Sequence, residues 1–208
     1  MAGTKSRRPT HAIVKRWIKQ GYGQGEGRTY KPLMYVRDVP SEGSSSMVHS
    51  LISGRTHHYL SRGEFYVHLL AEHSRRILDI REQFALLPWD ETQSIARKLG
   101  IKHPVVPFTS TPTVLTSDLV LSLKRPDGIQ LLAIRVKPTH ELDARSYEKL
   151  LLERLYWNRR GLTWVLASPE NIPMTRALNL AFFENAIRND DVMRSGINTR
   201  VSRTLSQC

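Results

Sequence analysis

Three charged side chains are predicted to meet on one face of a β-hairpin. Its turn is marked by Pro126-Asp127-Gly128, in which proline fixes φ and glycine tolerates a positive φ. Counting back from this turn pairs Asp118 with Arg135, and Lys137 follows on the same face because side chains of a strand repeat every two residues. An aspartate and a lysine on adjacent strands form the skeleton of a metal-dependent phosphodiesterase. A surface salt bridge, worth about 0–1 kcal/mol, is the alternative, and this stretch alone favours it.

The composition indicates a polyanionic partner. The 208 residues carry 31 Lys and Arg against 19 Asp and Glu, a formal charge of +12, and nucleic acid is the commonest partner of such an excess. No basic amphipathic helix, membrane-length apolar run or signal peptide stands out. The single cysteine, Cys208, excludes a disulfide framework and a cysteine-based zinc cluster and suits a reducing compartment. We therefore expect a soluble, cytoplasmic, nucleic-acid-associated protein.

Hydrophobic periodicity and turn residues predict the elements that position the hairpin. The predicted elements are a helix at 11–20, a helix from Ser61 to about 73, a strand at 77–84, a helix at 90–99 capped by Asp90, a loop at 103–116, the hairpin, a long helix at 141–160, a fully buried strand at 162–167 and a last helix at 173–188. This is an α/β fold with an αβββαβ core, a mixed β-sheet flanked by helices.

Several polar motifs have structural explanations that compete with chemical ones. Ser61 and Glu64 form a capping box before an apolar run, which accounts for Glu64 without catalysis. His57 and His58 point to opposite faces of a strand, so packing or phosphate contacts are favoured over a shared metal site. The alternating glycines at 21–30 follow a helix and lack a closing Gly-Lys-Ser/Thr, which favours a flexible basic arm on DNA or a partner over a nucleotide loop. Residues 40–46 read as a Ser/Gly linker.

The element order is that of restriction-endonuclease-like proteins of the PD-(D/E)xK superfamily, and shorter motifs make the resemblance more specific. These motifs are Gly-x-Gly-Gln-Gly at 21–25, Gly-Arg-x-His-His at 54–58, LDIREQF at 78–84, IKHPV at 101–105, VKP at 136–138 and ERLYW at 153–157. Together they resemble TnsA, the endonuclease subunit of heteromeric transposases, over about residues 13–170.

The resemblance implies an activity and partners. TnsA proteins cut the 5′ strands at transposon ends, while the transposase TnsB cuts and joins the 3′ strands and the AAA+ regulator TnsC licenses both. The catalytic positions carry over to Glu64 on a helix, Asp118 as a metal-bridging carboxylate, Lys137 as the catalytic lysine and Glu153 as a further acid. Mg²⁺, with Mn²⁺ as a substitute, prefers such oxygen ligands.

One residue departs from the family pattern. The position two before the lysine is usually Glu, Asp or Gln, but here it is Arg135, whose guanidinium only donates hydrogen bonds and cannot bind a metal. We expect metal binding through Glu64, Asp118 and the backbone carbonyl of Val136, with weaker or single-ion occupancy. Arg135 would instead contact a phosphate or pair with Asp118 or Glu153.

Further expectations concern supporting residues and domain limits. One or both of Glu82 and Gln83 are expected to lie behind the metal ligands. The candidates for DNA contact are Arg28, Lys31, Arg55, His57, His58 and Lys102. The predicted divisions are a basic N-terminal arm with one short helix and the Gly-rich segment (1–55), an endonuclease core (56–170) and a short C-terminal helix and tail (171–208). The reduced C-terminal region resembles the short forms found in CRISPR-associated transposons, and it leaves the TnsC contact open.

Three functions remain open from the sequence. The first is an active Mg²⁺-dependent DNA endonuclease that works within a transposase complex. The second is a DNA-binding scaffold subunit whose site Arg135 has inactivated. The third is a basic RNA-binding protein, which explains the charge but not the motifs.

Overall fold

A computed structural model describes residues 9–35, 45–184 and 186. Residues 1–8, most of the predicted linker and the predicted tail after residue 188 lie outside the described residues. The chain divides into two compact units, Met1–Ile172 and Pro173–Cys208. In the second unit, residues 174–184 are helical, in the region where the sequence predicts the last helix.

The first unit contains four helices and six strands among its described residues. In chain order they are α1 (His11–Lys19), β1 (Ser46–His49), β2 (Thr56–Tyr59), α2 (Arg62–Glu72), β3 (Ile77–Ala85), α3 (Trp89–Leu99), β4 (Thr116–Arg125), β5 (Gly128–Val136), α4 (Ala144–Asn158) and β6 (Thr163–Ala167). No helix in the part of the chain that the structure describes is both long enough and apolar enough to span a membrane.

The central sheet has the order β3-β4-β5-β6 and is mixed. Strands β3, β4 and β5 are antiparallel neighbours, whereas β6 runs parallel to β5. A parallel pair needs a crossover connection, which α4 provides here. Strands β1 and β2 form a separate antiparallel pair. The predicted restriction-endonuclease-like sheet flanked by helices is confirmed, with α3 inserted between the first two strands of the αβββαβ core.

Both faces of the sheet are covered, as the alternation of β4 requires. Leu119 and Leu121 pack in a cluster with Val67 and Ala71 of α2. Val120 faces the opposite side, in a cluster that includes Ile95 of α3 and residues of α4. Because β4 is apolar on both faces, its polar end at residues 116–118 is held rigidly between two cores.

The hairpin register agrees with the prediction. Lys124 pairs with Ile129 and Leu119 with Ile134, so the strand ends bring Asp118 and Arg135 together. Gly128, at φ 135°, has a backbone conformation that other residues rarely adopt.

Several predicted boundaries and environments are wrong. The long helix begins at Ala144, capped by the Asp143 side chain, because residues 139–141 form a separate 3-10 turn. Asp90 lies in the first turn of α3 and does not cap it, since Pro88 occupies that position. Strand β6 is an edge strand with half-exposed residues; an apolar run alone does not distinguish an edge from a centre.

The Gly-rich segment is also not a flexible arm. The N–H of Gly27 donates to Asp79, and the buried Tyr30 hydroxyl donates to the carbonyl of Glu82. Gly23 lies so close to Ala85 that a Cβ at this position would stand 2.2 Å from the alanine Cβ. The glycines therefore allow the segment to pack directly against β3.

Candidate active site

Glu64 is held at the N-terminus of α2. Ser61 caps the helix by accepting a hydrogen bond from the Glu64 N–H, and its hydroxyl donates to the Glu64 carboxylate at 2.9 Å. The N–H of Leu60 donates to the same carboxylate at 3.1 Å. Gly63 lets this turn approach β5, because a Cβ there would stand 2.8 Å from Val136 Cγ1. The predicted cap is therefore compatible with a carboxylate that faces a cleft.

Asp118 is fixed by two donors from β5. Its Oδ1 accepts from Arg135 Nη1 at 2.7 Å, and its Oδ2 accepts from the Val136 N–H at 2.7 Å. The N–H and C=O of one residue in an extended strand point to the same edge, so the Val136 carbonyl lies on the Asp118 side. The predicted contact between Asp118 and Arg135 is confirmed, but it is a buried ion pair and not a surface salt bridge, since the Asp118 side chain is 7% exposed.

Arg135 joins two carboxylates. Its guanidinium lies 2.7 Å from Asp118 and 2.7 Å from Glu153, and it also donates to the carbonyl of Thr116. The expectation that Arg135 pairs with Asp118 or Glu153 is thus confirmed for both. Burial would lower the pKa of Arg135, but the charges of Asp118 and Glu153 outweigh it and raise the pKa. This cation stays charged and neutralises the centre of the site.

Glu153 is tied to the core by residues that the sequence reasoning missed. Ser117 donates its hydroxyl to Glu153 at 2.6 Å and accepts from the indole N–H of Trp157 at 2.8 Å. Glu153 and Trp157 are one helical turn apart on α4, and Ser117 precedes Asp118. The hydrogen bonds therefore run from Trp157 through Ser117, Glu153 and Arg135 to Asp118. In the sequence, the position of Ser117 directly before Asp118 was the feature that could have indicated these contacts.

Lys137 follows directly after β5. Its Nζ lies 3.7 Å from Glu141 Oε2, and the side chain is 31% exposed. A cleft of about 370 Å³ is lined by Lys137 together with Glu64, Asp118 and Arg135. The structure therefore brings three of the four predicted catalytic residues to one open cleft, and Glu153 to the far side of Arg135.

The electrostatics of this cleft disfavour two carboxylate charges. Burial, followed by the charge of Asp118, raises the pKa of Glu64 to about 7, against the hydrogen bonds from Leu60 and Ser61. Burial also raises the pKa of Asp118, although Arg135 acts in the opposite direction. A further cation in the cleft would stabilise both ionised forms.

Gln83 and Glu82 have different surroundings. The Gln83 amide donates to Glu64 at 3.4 Å, and its carbonyl accepts from Thr116 at 3.3 Å. Gln83 has a φ of 45°, a strained conformation of the kind that clusters at functional sites.

Glu82 instead lies in the core, 2.6 Å from Arg55 and 2.8 Å from His57. Burial would raise the pKa of Glu82, but these two partners lower it to about 2.

Two of the residues predicted to contact DNA are corrected by this network. His57 is 0% exposed and also bonds Ser53, and Arg55 is committed to Glu82 with a side chain 10% exposed. Both side chains are buried or nearly so and are paired with Glu82, so they do not face the surface where a phosphate would bind. His58 is half-buried beside Tyr35.

The remaining predicted DNA contacts lie at the surface. Arg28 is exposed, and Lys31 is exposed with its Nζ 3.2 Å from the carbonyl of Gln20. Lys102 is exposed beside a cleft. The roles of all the candidate site residues remain proposals.

The donor set fits one divalent cation. Glu64, Asp118 and the Val136 carbonyl supply the oxygen ligands that Mg²⁺ prefers, and a bound cation would oppose the effect of burial, which raises the pKa of both carboxyls. No group of three or more His, Cys, Asp or Glu side chains suited to a metal occurs within residues 9–35, 45–184 and 186. Arg135 donates to Asp118 Oδ1, and the Glu153 carboxylate accepts from both Arg135 and Ser117.

Comparison with known proteins found a family model that matches part of the chain. Residues 74–168 match the family described as TnsA-like endonuclease N terminal. The TnsA-like region contains Asp118, Arg135, Lys137 and Glu153, and Glu64 lies just before it.

A curated relative extends the similarity beyond this region. The chain is 44% identical over 161 residues to the Transposon Tn7 transposition protein TnsA of Escherichia coli. The aligned region covers 76% of the chain and 57% of the relative. The chain thus spans a little over half the length of that relative. The similarity supports the TnsA-like assignment and leaves the activity of the whole protein to be proposed.

Proposed function

We propose that this protein is a divalent-metal-dependent DNA endonuclease that cleaves the 5′ strands at transposon ends. The observation that carries the proposal is one cleft lined by Glu64, Asp118 and Lys137 beside a TnsA-like sheet. The charge of +12 suits a DNA substrate.

Each residue has a role that its position supports. Glu64 and Asp118 would hold the divalent cation beside the scissile phosphate. Lys137, at the mouth of the cleft, orients the attacking water or stabilises the charge that develops on the phosphate. Glu153 positions Arg135, and Gln83 positions Glu64 through the hydrogen bond between them.

The oxygen ligands of the cleft suit a divalent metal ion. Bound between Glu64, Asp118 and the Val136 carbonyl, Mg²⁺ or Mn²⁺ would activate water and neutralise phosphate charge. We propose single-ion occupancy, because Arg135 already provides the second positive charge at Asp118. A crystal soaked in Mn²⁺ that shows two fully occupied ions would contradict this.

The proposed partners follow from the relative, which is named as a transposition protein. We infer that the chain acts with a TnsB transposase, which cuts the other strands, and with a TnsC regulator, in cut-and-paste transposition in the bacterial cytoplasm. DNA-end recognition is assigned to TnsB.

Replacing Asp118 by alanine tests the nuclease proposal. With the cognate transposase, the wild-type chain should give simple insertions, and D118A should give cointegrates because the 5′ strands stay uncut. D127A is a matched control, since Asp127 is an exposed carboxylate at the turn of the same hairpin. The proposal fails if wild type and D118A give the same products.

The second candidate function is a catalytically impaired DNA-binding scaffold. The guanidinium of Arg135 on Asp118 favours it, because a bound cation competes with a metal. On this alternative the wild-type chain and D118A both give cointegrates, yet deletion of the chain abolishes assembly of the transposase complex.

A further inference from the structure

Three clefts in the first unit are adjacent, because each shares lining residues with the next. The cleft of Glu64 and Asp118 shares Arg135 and Lys137 with a second cleft, which reaches Glu153 and Lys149. The second shares Lys149, Pro104 and Val105 with a third, which is also lined by Lys102 and Arg145. We call the joined clefts the basic groove.

Positive charge follows the groove away from the candidate active site. On α4, Arg145, Lys149 and Glu153 are successive i, i+4 residues and so form one stripe. Lys149 and Lys102 are exposed, and Arg145 donates to Glu148. Glu153, the carboxylate in the lining of the second cleft, is already neutralised by Arg135. The groove thus offers cations spaced along a path that ends at Lys137.

A braced loop forms one wall of the groove. Residues 104–113 are closed by the hydrogen bond from the Thr113 N–H to the Pro104 carbonyl at 2.9 Å and from the Val106 N–H to the Thr111 carbonyl at 2.8 Å. His103 anchors its base through Thr92 of α3 at 3.0 Å.

The loop presents an aromatic ring at its tip. Phe108 is 88% exposed and has a φ of 61°, a conformation that is rare for a bulky residue. Proteins that bind nucleic acid combine positively charged grooves with aromatic side chains on which bases stack.

We propose that the basic groove is the path of the DNA duplex beyond the cleavage site, and that Phe108 inserts between its bases as a wedge. This deepens the proposed function and rests on it. Lys102, Arg145 and Lys149 contact phosphates, which position a duplex without reading its sequence. Apolar side chains of this kind unstack base steps and bend the duplex, which would distort the DNA next to the scissile strand.

The charge component is tested by a pair of double variants of the full chain. Binding of a fluorescein-labelled mixed-sequence duplex is measured by anisotropy in EDTA across a series of KCl concentrations. K102A/K149A should weaken binding and reduce the slope of log affinity against log salt by about 1.8, since each phosphate contact contributes about 0.9. K124A/R125A removes two exposed cations at the hairpin turn and should leave the slope unchanged. If the two double variants changed the affinity and the salt slope equally, the proposed DNA path would be refuted.

The wedge is tested by changes that carry no charge. F108A should weaken binding about tenfold, as loss of one base-stacking contact does, with no change in the salt slope. I129A is the matched control, because Ile129 is 68% exposed on the hairpin turn and lies outside the groove. F108W should bind as the wild type does, and its fluorescence should be quenched by DNA. Wild-type affinity of F108A, or unquenched fluorescence of F108W, would overturn the wedge.

These outcomes are separable from those for the nuclease. Binding in EDTA does not depend on cleavage, so an inactive protein with the predicted groove effects would refute the nuclease and support the path. Conversely, cleavage that requires Asp118 together with unaltered DNA binding by K102A/K149A would leave the nuclease and refute the path. An acidic protein occupying the groove would give this second pattern.

Discussion

Replacing Arg135 by glutamine should make the protein less stable and more responsive to magnesium. The change removes the cation that lies 2.7 Å from both Asp118 and Glu153. Removing one partner of a buried ion pair costs about 3–5 kcal/mol. Because the Arg135 side chain is 25% exposed, we take the lower limit, about 3 kcal/mol. At about 2–4 °C per kcal/mol for a chain of this size, Tm should fall by about 6–12 °C.

Magnesium should restore most of this loss in the variant. A ligand at a hundred times its Kd stabilises the folded state by about 2.7 kcal/mol, which is close to the 3 kcal/mol lost. In the wild type the ion competes with the guanidinium for Asp118, so the rise in Tm should be smaller. The measurement is a thermal melt of each protein with increasing MgCl₂, using CaCl₂ and NaCl as comparisons.

Arg160 provides a matched control. It makes two hydrogen bonds to Glu91, at 2.8 and 2.6 Å, and its side chain is 29% exposed, so it resembles Arg135 but does not line the cleft of Glu64 and Asp118. R160Q should lose stability without magnesium-dependent recovery. Equal magnesium responses in the wild type and R135Q would refute the competition between Arg135 and the metal.

The remaining predictions concern the supports of the site. Burial raises the pKa of Glu64 from 4.5 to about 7, so the folded protein binds this proton more tightly than the unfolded chain does. The free energy of unfolding should therefore fall by about 1.4 kcal/mol per pH unit as the pH rises from 4.5 to 7. In urea titrations, E64Q should lack this component of the pH dependence. G63A should cost about 1–3 kcal/mol in urea titrations through the clash with Val136. E82Q should cost about 3 kcal/mol in the same assay, because Arg55 and His57 lose a buried counter-charge.

Each of these predictions has a contradicting outcome. The pKa assignment is wrong if E64Q and wild type show parallel pH dependence. A G63A protein of wild-type stability would show that α2 does not need its close approach to β5. If E82Q abolishes cleavage while the fold keeps its full stability, Glu82 belongs to the chemistry and not to the core.

The sequence was most informative where signals are local. The turn at 126–128 set the register of the hairpin, and the register brought Asp118 to Arg135. The Ser61 cap set the start of α2 and therefore the place of Glu64. These features depend on backbone geometry within a few residues, which side-chain type alone can specify. Motif resemblance then linked the separate elements into one site.

Only the tertiary structure decided which polar residues are accessible. From the sequence, His57 and Arg55 are predicted to be basic residues that contact DNA. In the structure, both are largely buried because they pair with Glu82, which lies more than twenty positions away in the chain. The exposure of β6 likewise depends on its position at the edge of the sheet. Such outcomes depend on contacts between distant segments, and a local pattern is the same whether the partner is water or a buried carboxylate.

The sequence by itself therefore determined the TnsA-like architecture, the hairpin and the residue types of the cleft. The resemblance also implies that Arg135 stands where the family usually has an oxygen ligand. The structure decided what that arginine does: it bridges Asp118 and Glu153, and the hydrogen bonds of Ser117 and Trp157 hold it there. The physical reason is that a guanidinium has several donors in one plane, so its partners are chosen by the packing of β4 against α4 and not by its neighbours in sequence.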